Sequence, residues 1–305
     1  MILLTGATGF IGARLAARLA AEGHHFRCLV RNPKKLQVSA EAIVGDLRSR
    51  TGLDQALEGV DVVYHLAGVT KALHTGDYHE GNVTSTGNLL AACTRLSISR
   101  FVHVSSLAAT NPVSIYGRSK LDGETLVRRS TLAPRSVIIR PPVVYGPGDT
   151  DVLQFFRTVA SGWIVSTGNR QQRVSIIHVD DLVDALLLAG RSEQAAGKTY
   201  CVANRSVVRW SELGDLAARL MGRKARHLKI PLAAAWVAAA ASEAVSRFTR
   251  KPSILSRDKI REATPDWICD AGPAFQDLGF QSGISLEAGL AGTLTWYKES
   301  GWLTY

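Results

Sequence analysis

The chain opens on the apolar run Ile2-Leu3-Leu4, which passes into the turn Thr5-Gly6-Ala7-Thr8-Gly9-Phe10-Ile11-Gly12. Between a strand and a helix, one glycine permits the tight turn, one lets amides approach a pyrophosphate, and one lets the helix pack closely on the strand. The helix N-terminus adds a positive dipole end for phosphate. We therefore predict a dinucleotide site rather than a merely structural turn, with contacts from Gly6, Thr8, Gly9, Phe10, Ile11 and Gly12.

Short β-branched runs alternate with amphipathic stretches through the first half, a pattern typical of a parallel sheet wrapped by helices. The predicted strands are Met1–Thr5, Phe26–Val30, Ala42–Val44, Val60–His65, Arg100–Ser105, Ser136–Arg140 and, late in the chain, Thr199–Val202. The predicted helices are Gly12–Ala21, Asn82–Leu96 and Tyr116–Ser130. We expect an α/β fold: a Rossmann-type doubly wound parallel sheet over 1–145, to which 175–205 returns, and a smaller, mostly helical substrate domain over 146–174 and 206–305.

The end of the second predicted strand bears on the choice of cofactor. In NAD-specific folds, an acidic residue about 20 positions past the glycine motif binds the ribose 2′-hydroxyl. Here Arg31 stands near that place, with Lys34 and Lys35 close behind. A guanidinium pairs well with a 2′-phosphate, so we predict NADP, with NAD as the alternative if Arg31 is only a surface charge. Asp46 and Leu47, past the third strand, would lie beside the adenine.

A tyrosine and a lysine four residues apart open the third predicted helix, Tyr116 and Lys120, and therefore lie on one face of it. A phenol with a pKa near 10 is a poor acid or base at neutral pH, but a nearby ammonium and a positive nicotinamide ring stabilise its phenolate. Ser106, at the end of the preceding strand, can hydrogen-bond a substrate oxygen. We predict Tyr116, Lys120 and Ser106 as the catalytic residues.

Together these motifs resemble the extended branch of the short-chain dehydrogenase/reductases. The matching pieces also include His65-Leu66-Ala67-Gly68, Arg140–Asp149 and His178-Val179-Asp180-Asp181. The resemblance implies that Tyr116 and Lys120 also contact the cofactor, that Leu66, Ala67 and Gly68 line it, that Pro141 and Val143 border the nicotinamide, and that Asn82 supports the site. It also suggests a homodimer.

Some side chains compete for these roles. Ser105 is an alternative to Ser106, although register with the family's strand-end serine favours the second. His65 and His178 lie in motif positions that look structural, and the histidines show no metal-ligand spacing, so we expect no metal.

Two departures from the family pattern bear on the substrate. Only nine residues separate Ser106 from Tyr116, which is short for this branch. Epimerases and dehydratases acting on sugar nucleotides usually carry Arg-Asp-Phe just before the counterpart of His178, where this chain has Val174-Ser175-Ile176. The resemblance therefore shifts towards the 3β-hydroxysteroid dehydrogenase and dihydroflavonol reductase-like members, which interconvert ketones and secondary alcohols on apolar skeletons.

Three functions remain open from the sequence. The first is an NADP(H)-dependent oxidoreductase acting on a ketone and secondary alcohol pair of a small, apolar or anionic molecule. The second is a sugar-nucleotide epimerase or dehydratase that recycles a tightly bound cofactor. The third is a non-catalytic NADP-binding module that docks through a basic segment.

That basic segment carries most of the chain's positive charge. The whole chain has 36 Lys and Arg against 26 Asp and Glu, a net charge of +10. Ten of the basic residues lie in 223–261 against two acidic ones, or +8. Such a field favours an anionic partner, such as a phosphorylated substrate or a lipid headgroup surface, and a solvated basic face that aids solubility is an equal alternative. Without a nucleic-acid module we do not expect nucleic acid, and the segment is a candidate for peripheral membrane contact. Within it, Leu232–Ala241 is apolar, and we expect a buried or lid helix.

The remaining compositional features bear on the compartment. Four widely spaced cysteines exclude a disulfide scaffold, and the sequence shows neither a secretory signal nor an apolar stretch long enough to cross a bilayer. We expect a cytoplasmic protein.

Overall fold

The computed structural model describes residues 1–96, 98–167, 172–249 and 256–305. Its contacts divide the chain into two units. The first comprises Met1–Pro141, Val183–Val202 and Ala271–Phe280, and the second comprises Pro142–Leu182, Ala203–Asp270 and Gln281–Tyr305.

The strands of the described residues fall in three sheets. In chain order they are β1 (Ile2–Thr5), β2 (Phe26–Val30), β3 (Glu41–Val44), β4 (Val62–His65), β5 (Arg100–Val104), β6 (Ser136–Arg140), β7 (Val143–Tyr145), β8 (Trp163–Thr167), β9 (Arg173–His178), β10 (Thr199–Cys201), β11 (Val207–Arg209) and β12 (Arg226–Ile230).

The α-helices are likewise numbered in chain order. They are α1 (Phe10–Ala21), α2 (Leu53–Leu57), α3 (Thr75–His79), α4 (Ser85–Arg95), α5 (Ile115–Arg129), α6 (Leu153–Ala160), α7 (Val179–Arg191), α8 (Trp210–Leu220), α9 (Leu232–Thr249), α10 (Arg257–Glu262), α11 (Gly272–Asp277) and α12 (Leu286–Glu299).

A seven-stranded parallel sheet forms the centre of the first unit, in the order β10-β6-β5-β4-β1-β2-β3. All five side chains of β5 are buried, as expected of a strand covered on both faces. The strand order reverses between β1 and β4, and in such sheets a crevice for ligands opens beyond the carboxyl ends of the strands at that point. The predicted Rossmann-type fold is confirmed.

The predicted strands and helices of this sheet are also present, with boundaries shifted by one or two residues in most cases. The largest difference concerns the predicted helix Asn82–Leu96. A π-helical turn, Glu80–Thr84, precedes α4, so Asn82 lies in the π turn rather than in the α-helix. Hydrophobic periodicity could not reveal this turn because apolar residues are sparse at the start of the segment.

The second unit contains more β-structure than the sequence suggested. Strand β9 pairs with β7 and with β11, and β8 pairs with β12. Because β9 belongs to this sheet, residues 175–182 lie in the second unit, and the chain rejoins the first unit at Val183 rather than at the expected residue 175. Its core combines aliphatic side chains with aromatic ones, including Phe156 and Tyr297.

Helix α9 corrects one expectation about the apolar segment 232–241. The helix is present and extends to Thr249, but most of it is exposed, with Val237 at 72% and Val245 at 59% exposure. Of the α9 side chains whose burial is described, only Ala235 and Ala239 are buried. Burial was expected because the segment is apolar on all sides, so its sequence does not show which face would be exposed to solvent. Among the described residues, no helix is long and apolar enough to cross a membrane.

Candidate active site

The glycine turn follows β1 and approaches the loop after β4. Gly6 has a positive φ of 81°, and a Cβ there would stand 2.6 Å from the backbone nitrogen of Ala67. A Cβ at Gly12 would collide with the carbonyl oxygen of Gly6. Neither position can hold a larger residue without moving backbone atoms, so glycine is required both for the turn and for the close packing of α1.

The N-terminus of α1 is open to a ligand. Its N-cap, Gly9, has no side chain to accept from the first-turn amides, and that turn contains no acidic residue. Uncapped amides at a helix start form a site for phosphate. Thr8 and Gly9 are exposed, and Phe10 and Ile11 are half-buried. A cradle in which glycines leave no room for a Cβ, placed at the reversal of strand order, fits a dinucleotide pyrophosphate.

Basic side chains stand at the end of β2. Arg31, Lys34 and Lys35 are all exposed, and Asn32 accepts a 3.0 Å hydrogen bond from the Lys34 backbone nitrogen, which begins a short 3₁₀ turn. Arg31 forms no ion pair with any residue that the structure describes. Three cations therefore stand close together in sequence just past the carboxyl end of β2.

Asp46 and Leu47 lie past β3. The carboxylate of Asp46 accepts a 2.8 Å hydrogen bond from the backbone nitrogen of Arg48. The side chain of Leu47 is buried in the core of the first unit, so any contact with a ligand would have to come from its backbone.

Leu66, Ala67 and Gly68 form the loop after β4. Leu66 and Ala67 are half-buried, and Gly68 is exposed. A Cβ at Gly68 would stand 2.8 Å from the side-chain oxygen of Asn82. Asn82 is buried, accepts from the Val69 backbone nitrogen at 2.7 Å and donates to the Val69 carbonyl at 2.9 Å. This amide therefore fixes the loop beside the site.

Helix α5 carries the predicted tyrosine and lysine. It begins where the Ser114 hydroxyl accepts a 3.0 Å hydrogen bond from the Gly117 backbone nitrogen. Tyr116, in the first turn, is half-buried, and its ring centroid lies 6.4 Å from that of Tyr78. One turn later, buried Lys120 donates a 2.7 Å hydrogen bond from Nζ to the Val104 carbonyl. Burial lowers the pKa of Lys120 to about 8, while the charge of Glu124 opposes the shift.

An ion cluster around a buried glutamate lies one further turn along α5. Glu124 accepts from Arg140 through Nε at 2.8 Å and Nη2 at 2.6 Å, and from Arg128 at 2.6 Å. Its side chain is 0% exposed. Burial alone would raise the pKa of Glu124, but the paired guanidinium groups hold it below its ordinary value. Glu124 was not among the residues predicted from the sequence, although its place four residues after Lys120 puts it on the same helical face.

The two candidate serines differ in exposure. Ser105 is buried at 4%, whereas Ser106 is half-buried. The Ser106 hydroxyl accepts a 3.1 Å hydrogen bond from the Ala108 backbone nitrogen and begins a 3₁₀ turn over Leu107–Ala109. A hydroxyl that accepts through one lone pair retains its proton for donation. Ser106 is therefore the better placed of the two to reach a substrate.

Three histidines near these motifs are buried. Burial lowers the pKa of His65 to about 3 and that of His103 well below its ordinary value, so both are neutral at physiological pH. His65 bonds the hydroxyls of Thr5 at 2.8 Å and Thr86 at 2.9 Å. His178, in the second unit, lies 3.6 Å from the Asp180 carboxylate. Within the described ranges, no group of three or more His, Cys, Asp or Glu side chains could hold a metal ion.

Pro141 and Val143 fall in different units. The Pro141 carbonyl accepts a 2.8 Å hydrogen bond from the Leu107 backbone nitrogen, which fixes the chain beside the Ser106 turn. Val143 starts β7 and packs against the core of the second unit. The first unit thus assembles the glycine cradle, the cationic turn, Asn82, Ser106, Tyr116 and Lys120.

Comparison with known proteins shows similarity along the whole chain. The model of the NAD dependent epimerase/dehydratase family matches residues 2–203. The ceramide reductase of Caulobacter vibrioides is 34% identical over 99% of this chain and 96% of its own length. The 4-hydroxy-2-methyl-3-oxo-4-farnesyl-3,4-dihydroquinoline-1-oxide ketoreductase of Stigmatella aurantiaca is 29% identical over 80% of each chain. The structure of MoeE5 with UDP-glucose and NAD aligns with a TM-score of 0.77 at 25% identity, covering 98% of this chain and 99% of MoeE5.

Proposed function

Because this chain belongs to the NAD dependent epimerase/dehydratase family, we propose that it is an NADPH-dependent reductase of a ketone on a long-chain apolar molecule. It is an NAD(P)-dependent enzyme of the extended short-chain dehydrogenase/reductase type. The proposal adds the direction, the preferred cofactor and the class of substrate.

The observation that carries the proposal is the buried Lys120 ammonium, one turn from Tyr116 and bonded to the Val104 carbonyl at 2.7 Å. A fixed positive charge near a phenol stabilises the phenolate and so makes the phenol a stronger acid. Tyr116 can then act as the general acid for a carbonyl oxygen, a role that contributes about 10²–10⁴-fold to the rate of such reactions.

The proposed reduction adds one hydride and one proton to the ketone. The residues of the glycine cradle would hold a reduced nicotinamide dinucleotide, whose chemistry would provide the hydride that the carbonyl carbon requires. The Tyr116 hydroxyl donates its proton to the carbonyl oxygen, so the ketone becomes a secondary alcohol. The Ser106 hydroxyl donates a hydrogen bond to the same oxygen and stabilises the negative charge that develops there. Lys120 stabilises the phenolate that remains until Tyr116 takes up a proton from solvent.

The preference for NADPH rests on the end of β2. Arg31, Lys34 and Lys35 are exposed cations around a turn that carries no acidic side chain. Guanidinium and ammonium groups bind a 2′-phosphate, whereas a carboxylate in this region would bind the free 2′-hydroxyl of NAD.

The proposed substrate class rests on two observations. Two relatives are named as reductases, one of ceramide and one of a farnesylated 3-oxo compound, and both of those molecules carry long hydrocarbon groups. The Arg-Asp-Phe signature typical of sugar-nucleotide enzymes is replaced by Val174-Ser175-Ile176. Both observations favour an apolar ketone over a sugar nucleotide.

A second candidate is a nucleotide-sugar epimerase or dehydratase, favoured by the similarity to MoeE5, whose structure holds UDP-glucose and NAD. Such an enzyme would recycle its cofactor without net consumption. The two candidates therefore differ in whether cofactor is used up.

The test is a cofactor-consumption assay with the purified full chain. NADPH oxidation is followed with long-chain 3-oxo amides and 3-oxo acids, and in parallel with UDP-sugars, whose isomers are separated by chromatography. We expect stoichiometric NADPH oxidation with a long-chain ketone and no change in the sugars. Sugar interconversion with bound cofactor retained through gel filtration would favour the second candidate. Activity with neither class, together with full NADPH binding, would contradict both proposed substrate classes.

A further inference from the structure

The exposed side of α9 has no polar side chain over three turns. Its exposed positions between residues 233 and 245 are Ala233, Ala234, Val237, Ala238, Ala240, Ala241, Ala244 and Val245. We refer to these eight residues as the apolar outer face. A helix of a water-exposed surface normally presents charged or polar residues outward, so an exposed apolar face of this kind marks an interaction surface.

The opposite side of α9 is accounted for by packing. Ala235 and Ala239 are buried with Ile260 of α10, and Ile230 and Trp236 pack against them. Glu243 pairs with Arg257 at 2.8 Å on the same helix pair. The inner side is therefore satisfied within the second unit, and the apolar outer face is left without a partner among the described residues.

Four cations immediately precede this helix. We call Arg223, Lys224, Arg226 and Lys229 the basic cluster; all four are exposed and none forms an ion pair with a described residue. Arg257 and Arg261, on α10, are by contrast paired with acidic side chains. Residues 223–242 contain no Asp or Glu. The cluster is thus an uncompensated positive charge at the start of an apolar face.

Exposed apolar side chains also accompany the cluster. Leu228 of β12 is 43% exposed, and Leu232, at the start of α9, is 39% exposed. Strand β12 pairs with β8 and exposes four of its five residues. Alternation of cations and leucines at the edge of an apolar helix is typical of segments that lie in the interface of a bilayer.

We propose that the apolar outer face and the basic cluster together dock the protein on an anionic lipid bilayer, with α9 lying along the interface. The eighteen residues of α9 extend about 27 Å at 1.5 Å per residue, so several small side chains can enter the headgroup region at once. The cations meet anionic headgroups, whose surface potential attracts each Lys or Arg that lies within about a Debye length of it.

Charge is the reason to prefer a bilayer over a second copy of this chain. A two-fold contact places the same patch on both sides. Residues 223–242 offer no carboxylate to meet the basic cluster, so two copies of the patch would bring unpaired cations together. An anionic lipid surface supplies the missing charge at every position.

The test uses sedimentation of the full chain with vesicles. Vesicles of phosphatidylcholine containing phosphatidylserine are compared with vesicles of phosphatidylcholine alone, at low and high salt. We expect binding to the anionic vesicles, weak binding to the neutral ones, and loss of binding as salt rises. Equal binding to both kinds of vesicle, or to neither, would overturn the proposal.

Two pairs of variants separate the contributions. Val237→Asp with Val245→Asp should abolish vesicle binding without changing the melting temperature, because both side chains are exposed. Leu96→Asp, at a 41% exposed position of the first unit, is the control and should bind like wild type. Lys224→Gln with Lys229→Gln should weaken binding about 30-fold, whereas Lys224→Arg with Lys229→Arg should not.

The same variants can refute the proposal in a second way. Wild-type binding by the double Asp variant would overturn it. A double Asp variant that instead dissociates a dimer in sedimentation equilibrium would assign the apolar outer face to a second copy, which also contradicts it. Vesicle binding is measured without substrate, so its result does not depend on the proposed reductase activity. Reduction of a water-soluble ketone, which does not need the bilayer, is measured in parallel on the same variants.

Discussion

Lys120 donates a 2.7 Å hydrogen bond from its Nζ to the carbonyl oxygen of Val104, the last residue of β5. This bond ties a side chain of α5 to the carboxyl end of a central strand, and it places a buried ammonium one helical turn from Tyr116. The position and charge of Lys120 therefore depend on the packing of α5 against the sheet, which makes the acidity of the site a property of the fold.

The pKa of Lys120 predicts the pH limit of the reaction. Burial lowers that pKa from 10.5 to about 8, so in the free enzyme the ammonium is lost as the pH rises through about 8. We expect kcat/KM for NADPH to fall above that pH, since this parameter reports groups of the free enzyme. A flat profile up to pH 10 would contradict the assignment.

The deprotonation of Lys120 cannot cause the fall in kcat/KM by unfolding the protein. In the unfolded chain Lys120 keeps its proton up to about 10.5, whereas in the folded state it loses it near 8. The unfolded state therefore binds more protons between these values, and the contribution of Lys120 to stability rises with pH there. Circular dichroism across the same pH range is the control.

Replacing Glu124 should move the alkaline limit. The carboxylate of Glu124 favours the protonated form of Lys120, so Glu124→Gln lowers the lysine pKa further and shifts the fall in kcat/KM to lower pH. Glu124→Asp keeps the charge and should leave the limit nearer its original place. A Glu124→Gln variant that is folded and has an unchanged pH profile would show that Glu124 has only a structural role.

Thermal unfolding of Glu124→Gln reports the structural part separately. The substitution leaves the half-buried guanidinium of Arg140 without its charged partner, a loss that costs up to about 3–5 kcal/mol where both members of a pair are fully buried. We expect a clearly lower melting temperature than for Glu124→Asp.

Gly12→Ala tests the cradle. The added Cβ would meet the Gly6 carbonyl, a backbone group that cannot move without opening the turn. We expect a destabilisation of about 1–3 kcal/mol and loss of the thermal stabilisation by NADPH. Gly292→Ala, inside α12 with nothing within 4 Å, is the matched control and should be neutral or slightly stabilising. Unaltered NADPH stabilisation in Gly12→Ala would place the dinucleotide elsewhere.

Arg31→Gln tests the choice between cofactors. Loss of the guanidinium should weaken NADPH binding about tenfold, by the worth of a charge-assisted hydrogen bond, and leave NADH binding nearly unchanged. Arg129→Gln, another exposed arginine, should affect neither. Titration of cofactor fluorescence measures the six dissociation constants of wild type and the two variants, and an equal effect of Arg31→Gln on NADPH and NADH would remove Arg31 from the phosphate site.

The sequence predicted the first unit better than the second. In the first, glycine spacing, β-branched runs and the Tyr116–Lys120 interval are local patterns, and each corresponds to one physical requirement of the sheet or its helices. Glu124 was missed because its role depends on Arg140, which is distant along the chain. The exposure of α9 was missed because a helix that is apolar all round has no periodicity from which an outer face can be read.

The most direct test of the central claim is the single-turnover rate of ketone reduction by NADPH in wild type, Tyr116→Phe and Tyr78→Phe. Both variants remove only a hydroxyl, and the two rings are neighbours. We predict that Tyr116→Phe is about 10²–10⁴-fold slower with NADPH still bound, and that Tyr78→Phe stays close to wild type. Wild-type turnover by Tyr116→Phe, or an equal loss in Tyr78→Phe, would contradict the account.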